Sequence, residues 1–328
     1  MKRTFLAMGF AAIASAAMAE TPVLTVYTYD SFVSDWGPGP AVEATFEAQC
    51  ACDLQFVASG DGAALLARLK LEGAATTADV VLGLDTNLTA AAAETGLFAP
   101  HGVSGDTAVP GGWNDPLFLP YDFGWFAFVY DNTRLAQPPA NLEELAASDL
   151  KILIQDPRSS TPGLGLLLWV KMAYGDRAPQ LWSELADNIV TVTKGWSEAY
   201  GLFLEGEADM VLSYTTSPAY HRIAEEDATK SAALFNEGHY LQVEVSGQLA
   251  GSDQPELAQE FLAFTQSEAF QSVIPTTNWM YPAVMPAAGL PEGFDPMIAP
   301  EHSLLVPAGA VQAMRDEALA EWLVALSR

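Results

Sequence analysis

Short apolar runs alternate with helix-period segments along most of this chain, and that alternation restricts the fold more than any other feature. Asp79-Val80-Val81-Leu82-Gly83-Leu84 is one such run and reads as a buried strand. Before it, residues 23–29 read as the first strand and 53–58 as the second. Helices are predicted over 40–48 and 61–72, the latter carrying Leu65, Leu66 and Leu69 on one face. A helix over about 88–94 follows, and Gly111-Gly112-Trp113 marks a loop. Strands and helices in this order predict an α/β fold.

Phe123-Gly124-Trp125-Phe126-Ala127-Phe128-Val129-Tyr130 is a long aromatic strand, read as a crossing between two lobes. Beyond the Pro138-Pro139 loop, strands are predicted at 151–154, 189–193 and 209–213, and helices at 163–174 and 180–186. Residues 239–246 alternate apolar and polar like a strand covered on one face, and return the chain to the first lobe. Pro255 opens a helix with Leu257, Phe261, Leu262, Phe264 and Phe270 on its apolar face. A last helix carries Val311, Met314, Leu319, Trp322 and Leu326. The expected division is 20–124 plus 240–328 for the first lobe and 125–239 for the second.

Lys2 and Arg3 precede an uncharged stretch over 4–19, and Ala17-Met18-Ala19 has the small-x-small form that signal peptidase cuts. Residues 1–19 therefore read as a secretory signal peptide, with a periplasmic product and no insertion into the membrane. Its removal leaves 309 residues, enough for two lobes each with a core. The formal charge of −27 becomes −29 without Lys2 and Arg3, which argues against nucleic acid or anionic lipid as partner. Acidity also keeps an exported protein soluble. Cys50-Ala51-Cys52 is the whole cysteine inventory. An oxidising compartment permits a disulfide there, although neighbouring Cα atoms seldom suit one; two small side chains at a strand entry are the alternative.

Several strand-to-helix loops share aromatic, hydroxyl and acidic side chains. They are Tyr27-Thr28-Tyr29-Asp30-Ser31 with Trp36 nearby, Ser59-Gly60-Asp61-Gly62, 156–163 with Ser160-Thr161-Pro162, Lys194-Gly195-Trp196-Ser197-Glu198, and Tyr214-Thr215-Thr216-Ser217-Pro218-Ala219-Tyr220. Asn278-Trp279-Met280-Tyr281-Pro282 adds an aromatic turn. Loops of an α/β sheet collect at one edge, so these predict a cleft between lobes. Each has a plainer role too: Asp61 as a helix N-cap, Ser160-Thr161 and Thr216-Ser217 as caps before prolines. Together they suit a flat, polar, cationic molecule, with rings stacking on it and a carboxylate accepting from an exocyclic amine. The two helix starts suit a hydroxyl or phosphate at its other end.

Signatures of catalysis are thin. The four histidines, at 101, 221, 239 and 302, lie at no metal-ligand spacing, and Gly-x-Ser-x-Gly, Walker A and the dinucleotide fingerprint are absent. No enzymatic activity, cofactor or resident metal is expected.

The runs Val26-Tyr27-Thr28-Tyr29-Asp30-Ser31-Phe32, Asp35-Trp36-Gly37-Pro38-Gly39-Pro40, Ala78–Asp85, Gln155–Gly165, Thr193–Tyr200 and Val211–Tyr220 resemble the thiamine-binding periplasmic proteins of bacterial ABC transporters. The resemblance covers nearly the whole chain after residue 19 and weakens over 224–234 and 285–307. It implies a periplasmic-binding-protein type II fold, two α/β lobes joined by crossing strands, closing over thiamine, thiamine monophosphate or thiamine diphosphate. It implies an inner-membrane permease and its ATPase as partners, and a monomer. Carried over residue by residue, the ligand contacts fall on Asp61, Gly62, Ser160, Thr161, Trp196, Tyr214, Thr215, Thr216, Ser217, Tyr220 and Trp279, with Tyr29 and Trp36 as wall residues. Tyr29, Trp196, Tyr220 and Trp279 would pack against rings and Asp61 would meet the aminopyrimidine. Ser160, Thr161 and residues 215–217 would hold the hydroxyl or phosphate. The alternatives are a thiaminase-like transferase on a similar fold, which needs a cysteine nucleophile, and a ferric-ion carrier, which needs paired tyrosines.

Overall fold

Every residue of the strand Val80–Asp85 is buried, because it lies inside a sheet whose order its own apolar run cannot specify. The computed structural model describes residues 21–327, so the expected signal peptide lies outside the described residues. Within them the strands are β1 (Val23–Thr28), β2 (Asp53–Ala58), β3 (Val80–Asp85), β4 (Phe98–Ala99), β5 (Leu119–Asp131) and β6 (Ile152–Gln155). They continue with β7 (Ile189–Thr193), β8 (Met210–Tyr214), β9 (Lys230–Ala233), β10 (His239–Leu249), β11 (Tyr281–Pro282) and β12 (Ser303–Leu304).

The main path through the sheet runs β2-β1-β3-β10-β5-β8-β6-β7. β1 pairs in parallel with β2 and β3, and β6 in parallel with β7 and β8, each connected through helices as the alternation predicts. Antiparallel strands join these two groups. Up to Trp125, β5 pairs with β10; from Phe126 onward it pairs with β8. One thirteen-residue strand thus runs through both halves, buried from Leu119 to Val129. The expected boundary at 124/125 falls within it.

Three expectations need correction. β10 is covered on both faces: Gln242, Glu244 and Ser246, the residues of its polar face, are all buried. They point into the region where the two groups of strands meet, not to solvent. The helix from Pro255 stops at Thr265, and Phe270 sits on a separate turn, Glu268–Gln271, whose N-cap Ser267 accepts from the Phe270 amide at 3.3 Å. Phe270 still packs edge-on to Phe264, ring centres 5.7 Å apart. The C-terminal helix Ala308–Leu326, grouped by sequence with the first lobe, packs on Thr161–Tyr174 and Ala178–Leu185 of the second and also on Thr89–Ala93. The buried amine of Lys171 decides this, donating to Glu321 at 2.7 Å and Glu317 at 3.0 Å. Such an amine is costly to bury without carboxylate partners.

Cys50 and Cys52 form a disulfide. Ala51 between them takes a left-handed φ of 51°, and the chain turns so that the Cα atoms stand 5.2 Å apart, within bonding range.

Two glycines let large rings approach backbone. A Cβ on Gly165 would lie 1.9 Å from the Phe126 ring, and one on Gly83, whose φ is +105°, would lie 2.2 Å from the Tyr29 ring. Gly83→Ala is therefore expected to lower stability by about 1–3 kcal/mol through overpacking and an unfavourable φ. An unshifted urea midpoint would count against this account of the Tyr29 seat.

Candidate functional site

The loops singled out in the sequence meet around a cleft of about 500 Å³. Its walls are rings. Trp36, 52% exposed, reaches from the loop after β1 to within 6.2 Å of Trp196, which begins the helix Trp196–Leu204. Trp196 stacks on Tyr200 at 5.0 Å, and Tyr200 stacks in turn on His221. Tyr220 packs edge-on against His221 at 4.9 Å and meets Trp279 edge-on at 5.3 Å.

Hydrogen bonds fix these rings. The Trp196 indole donates to Ser213 Oγ at 2.8 Å, and Ser213 is bonded to Ser217 Oγ at 2.7 Å. Ser217 Oγ also accepts from the Tyr214 amide at 3.2 Å. Tyr200 and Tyr220 are held through His221 and Glu225: Tyr200 Oη lies 2.9 Å from His221 Nε2, His221 Nδ1 2.6 Å from Glu225 Oε2, and Tyr220 donates to Glu225 at 2.9 Å.

Of the residues expected at the site, Tyr29, Trp36, Asp61, Trp196, Tyr214, Ser217, Tyr220 and Trp279 line the cleft. Gly62, Ser160, Thr161, Thr215 and Thr216 are buried behind it. The helices start at Thr161, two residues before the expected 163, and at Ser217, but the serine and threonine side chains do not cap them. Ser160 Oγ donates instead to Asp61 Oδ2 at 2.8 Å, and the Thr161 amide donates to the same oxygen at 3.3 Å. Thr216 turns its hydroxyl toward Met280 sulfur, 3.9 Å away. Asp61 does cap its own helix, accepting from the Gly62 amide at 3.0 Å, and with its second oxygen ties that helix start to the one at Thr161. A cap that carries charge has enough lone pairs for both.

The floor carries what sequence reasoning missed. Glu244 of β10 lines the cleft and stands directly opposite Asp122 of β5 on one side and Asp85 of β3 on the other. Opposed residues of antiparallel strands share a face, so three buried carboxyls lie abreast. Glu244 Oε2 accepts from Tyr121 at 2.5 Å and Tyr29 at 2.9 Å, and its Oε1 accepts from Gln242 at 2.9 Å. Asp122 accepts from Asn278 at 2.6 Å, and Asp85 from the Asn87 amide at 2.6 Å. Among the described residues no lysine, arginine or histidine pairs with any of the three or with Asp61. Burial holds Asp122 well above the usual carboxylate range, and the nearby Glu244 adds to this. Burial likewise raises Glu244 and Asp61, and pushes Asp85 up to about 7. The signal that could have found them is a charged residue inside each of three strands otherwise apolar enough to be buried.

An aromatic cleft between two α/β groups joined by crossing strands defines a solute-binding protein of the periplasmic-binding-protein type II fold. The chain belongs to the family described as bacterial extracellular solute-binding protein, whose profile matches residues 34–272. It is 58% identical to the thiamine-binding periplasmic protein of Escherichia coli K12, over 94% of each chain. It is 52% identical to the protein of the same name from Brucella melitensis, over 99% of this chain and 98% of that one. A solved structure of a periplasmic thiamin binding protein matches with TM-score 0.91 and 56% identity, covering 97% of this chain and 100% of the other.

Asp85 holds its proton more tightly folded than unfolded, so between pH about 4 and 7 the folded chain binds the extra proton. Its contribution to stability is then lost as pH rises through about 7. His239, pushed down to about 4 by burial, slopes the other way below its ordinary 6.5. Comparing the ligand-free protein with Asp85→Asn isolates the first effect: thermal melts from pH 5 to 8 should show the wild type losing stability relative to the variant as pH rises. Parallel curves would remove Asp85 from this account.

Proposed function

We propose that this protein captures thiamine or its phosphate esters in the periplasm and delivers them, as a monomer, to an inner-membrane ABC permease and its ATPase. One observation carries the ligand class: rings wall a cleft whose floor holds buried carboxyls that pair with no basic side chain among the described residues. A flat organic cation supplies the missing charge, and stacking against a ring contributes about 0.5–2 kcal/mol per contact. The names of the relatives at 52–58% identity support thiamine as that cation. In this reading Trp196, Tyr220 and Trp279 pack against its rings and Asp61, with lone-pair capacity left over, meets the aminopyrimidine.

A phosphate finds the two helix starts unequal. Asp61 already occupies the start at Thr161, so an anion there would face a carboxylate. Ser217, which lines the cleft and opens the helix Ser217–Ala224, is the better seat. The rival readings lose support from the geometry: a thiaminase-like transferase needs a thiol at the cleft, and both cysteines are joined in a disulfide that is not part of its lining. For a ferric-ion carrier, Tyr214 and Tyr220 line the cleft, but the phenol of Tyr220 is engaged by Glu225.

Thiamine should quench tryptophan fluorescence of the purified protein in a saturable way. Trp196→Ala and Asp61→Ala should each weaken binding about tenfold or more, the scale of one stacking or charged contact. Unchanged affinity in both variants would overturn the site.

A further inference from the structure

The three carboxyls abreast on β3, β10 and β5 have a consequence for how a cation enters. Asp85, Glu244 and Asp122 are 0%, 7% and 0% exposed, and Asp122 and Glu244 stand directly opposite each other on the paired strands β5 and β10. Two carboxylates that close, in a site that water barely reaches, share a proton instead of both ionising. The titratable groups facing them do nothing to relieve this. Tyr29 beyond β1, Tyr121 on β5 and Tyr214 on β8 are neutral phenols raised further by burial, and Asp61 adds a fourth acid. Asp122 Oδ1 and Asp85 Oδ2 make no hydrogen bond to any described residue.

We propose that the Asp122–Glu244 pair holds a proton in the ligand-free protein and releases it to solvent when a cationic ligand takes its place over Glu244. The cleft thereby exchanges one positive charge for another. This rests on the reading of the ligand as an organic cation and adds a proton to its binding reaction. Glu244 faces the ligand, and Asp122, behind it, is a positioning residue that acts by sharing the proton. The exchange leaves the net charge of the pair and its occupant the same in both states, so binding adds no uncompensated charge to a floor already crowded with acids. It also means that the site favours a permanent cation over a neutral molecule of the same shape, since only the cation compensates the departing proton.

Two measurements on the full mature protein test this. Infrared spectra of the ligand-free wild type at pH 7 should contain the C=O stretch of a buried carboxylic acid, and Asp122→Asn or Glu244→Gln should diminish it. Calorimetric titration with thiamine in buffers of differing ionisation enthalpy should show the wild type releasing close to one proton more per ligand than Asp122→Asn. That difference cancels any proton belonging to the ligand. Affinity of the wild type should then rise with pH, by at most about tenfold per unit. A ligand-free spectrum without the acid band overturns the proposal whether or not thiamine binds, and it can be read on the wild type even where a variant does not fold. Binding with equal proton counts in wild type and variant, and no change in the band, overturns the release step while leaving thiamine as the ligand. No binding of thiamine at all overturns the ligand assignment and the release step with it.

Discussion

The antiparallel pairing of β5 with β10 is the contact on which the rest of the structure depends. It joins two groups of parallel strands that would otherwise be separate layers, because β5 exchanges β10 for β8 as partner between Trp125 and Phe126. The same pairing sets Asp122 opposite Glu244. Two unit charges 4 Å apart repel by about 4 kcal/mol at the effective dielectric of a protein site, so no sheet gains stability from this arrangement. Groups that cost stability where they stand are common at binding sites. Here they sit beneath the cleft and give it its sign.

Above that floor, the aromatic walls owe their orientation to polar partners on neighbouring elements. Trp196 is held through Ser213 and Ser217, and Tyr220 through Glu225 and His221. Rings fixed this way lose little freedom when a ligand arrives, which leaves more of the stacking energy for affinity. Asp61 performs a comparable task between the halves, since its two oxygens address two helix starts ninety-nine residues apart in the chain. Ser160, which looks like a helix cap in the sequence, is spent on this longer connection.

Much of this was legible beforehand. The apolar run at 80–85 and its counterparts located the strands, because a strand buried on both faces has little choice but to be apolar. The loops at Tyr29, Trp36, Asp61, Trp196, Tyr214 and Trp279 were found from composition alone, and they do converge on one cleft. Glu244 was not, because alternation of apolar and polar residues is the same pattern for a strand with a wet face and for one whose polar face lines an enclosed site. The full set of neighbours of the C-terminal helix was hidden for a similar reason: the apolar face says that it is covered, not by what. Lys171 and its two glutamates settle that, from positions about 150 residues apart.

What the sequence by itself determined is the local order of strands and helices, the acidic balance and the family, since each follows from residue type at short spacing or from long matching runs. Only the tertiary structure decided which side chains share a face. It placed three acids abreast, withdrew Ser160, Thr161, Thr215 and Thr216 from the cleft wall, and closed Cys50 onto Cys52 through the turn at Ala51. The physical reason is that cross-strand register and the packing of distant helices are set by contacts among residues far apart in the chain, about which local periodicity is silent.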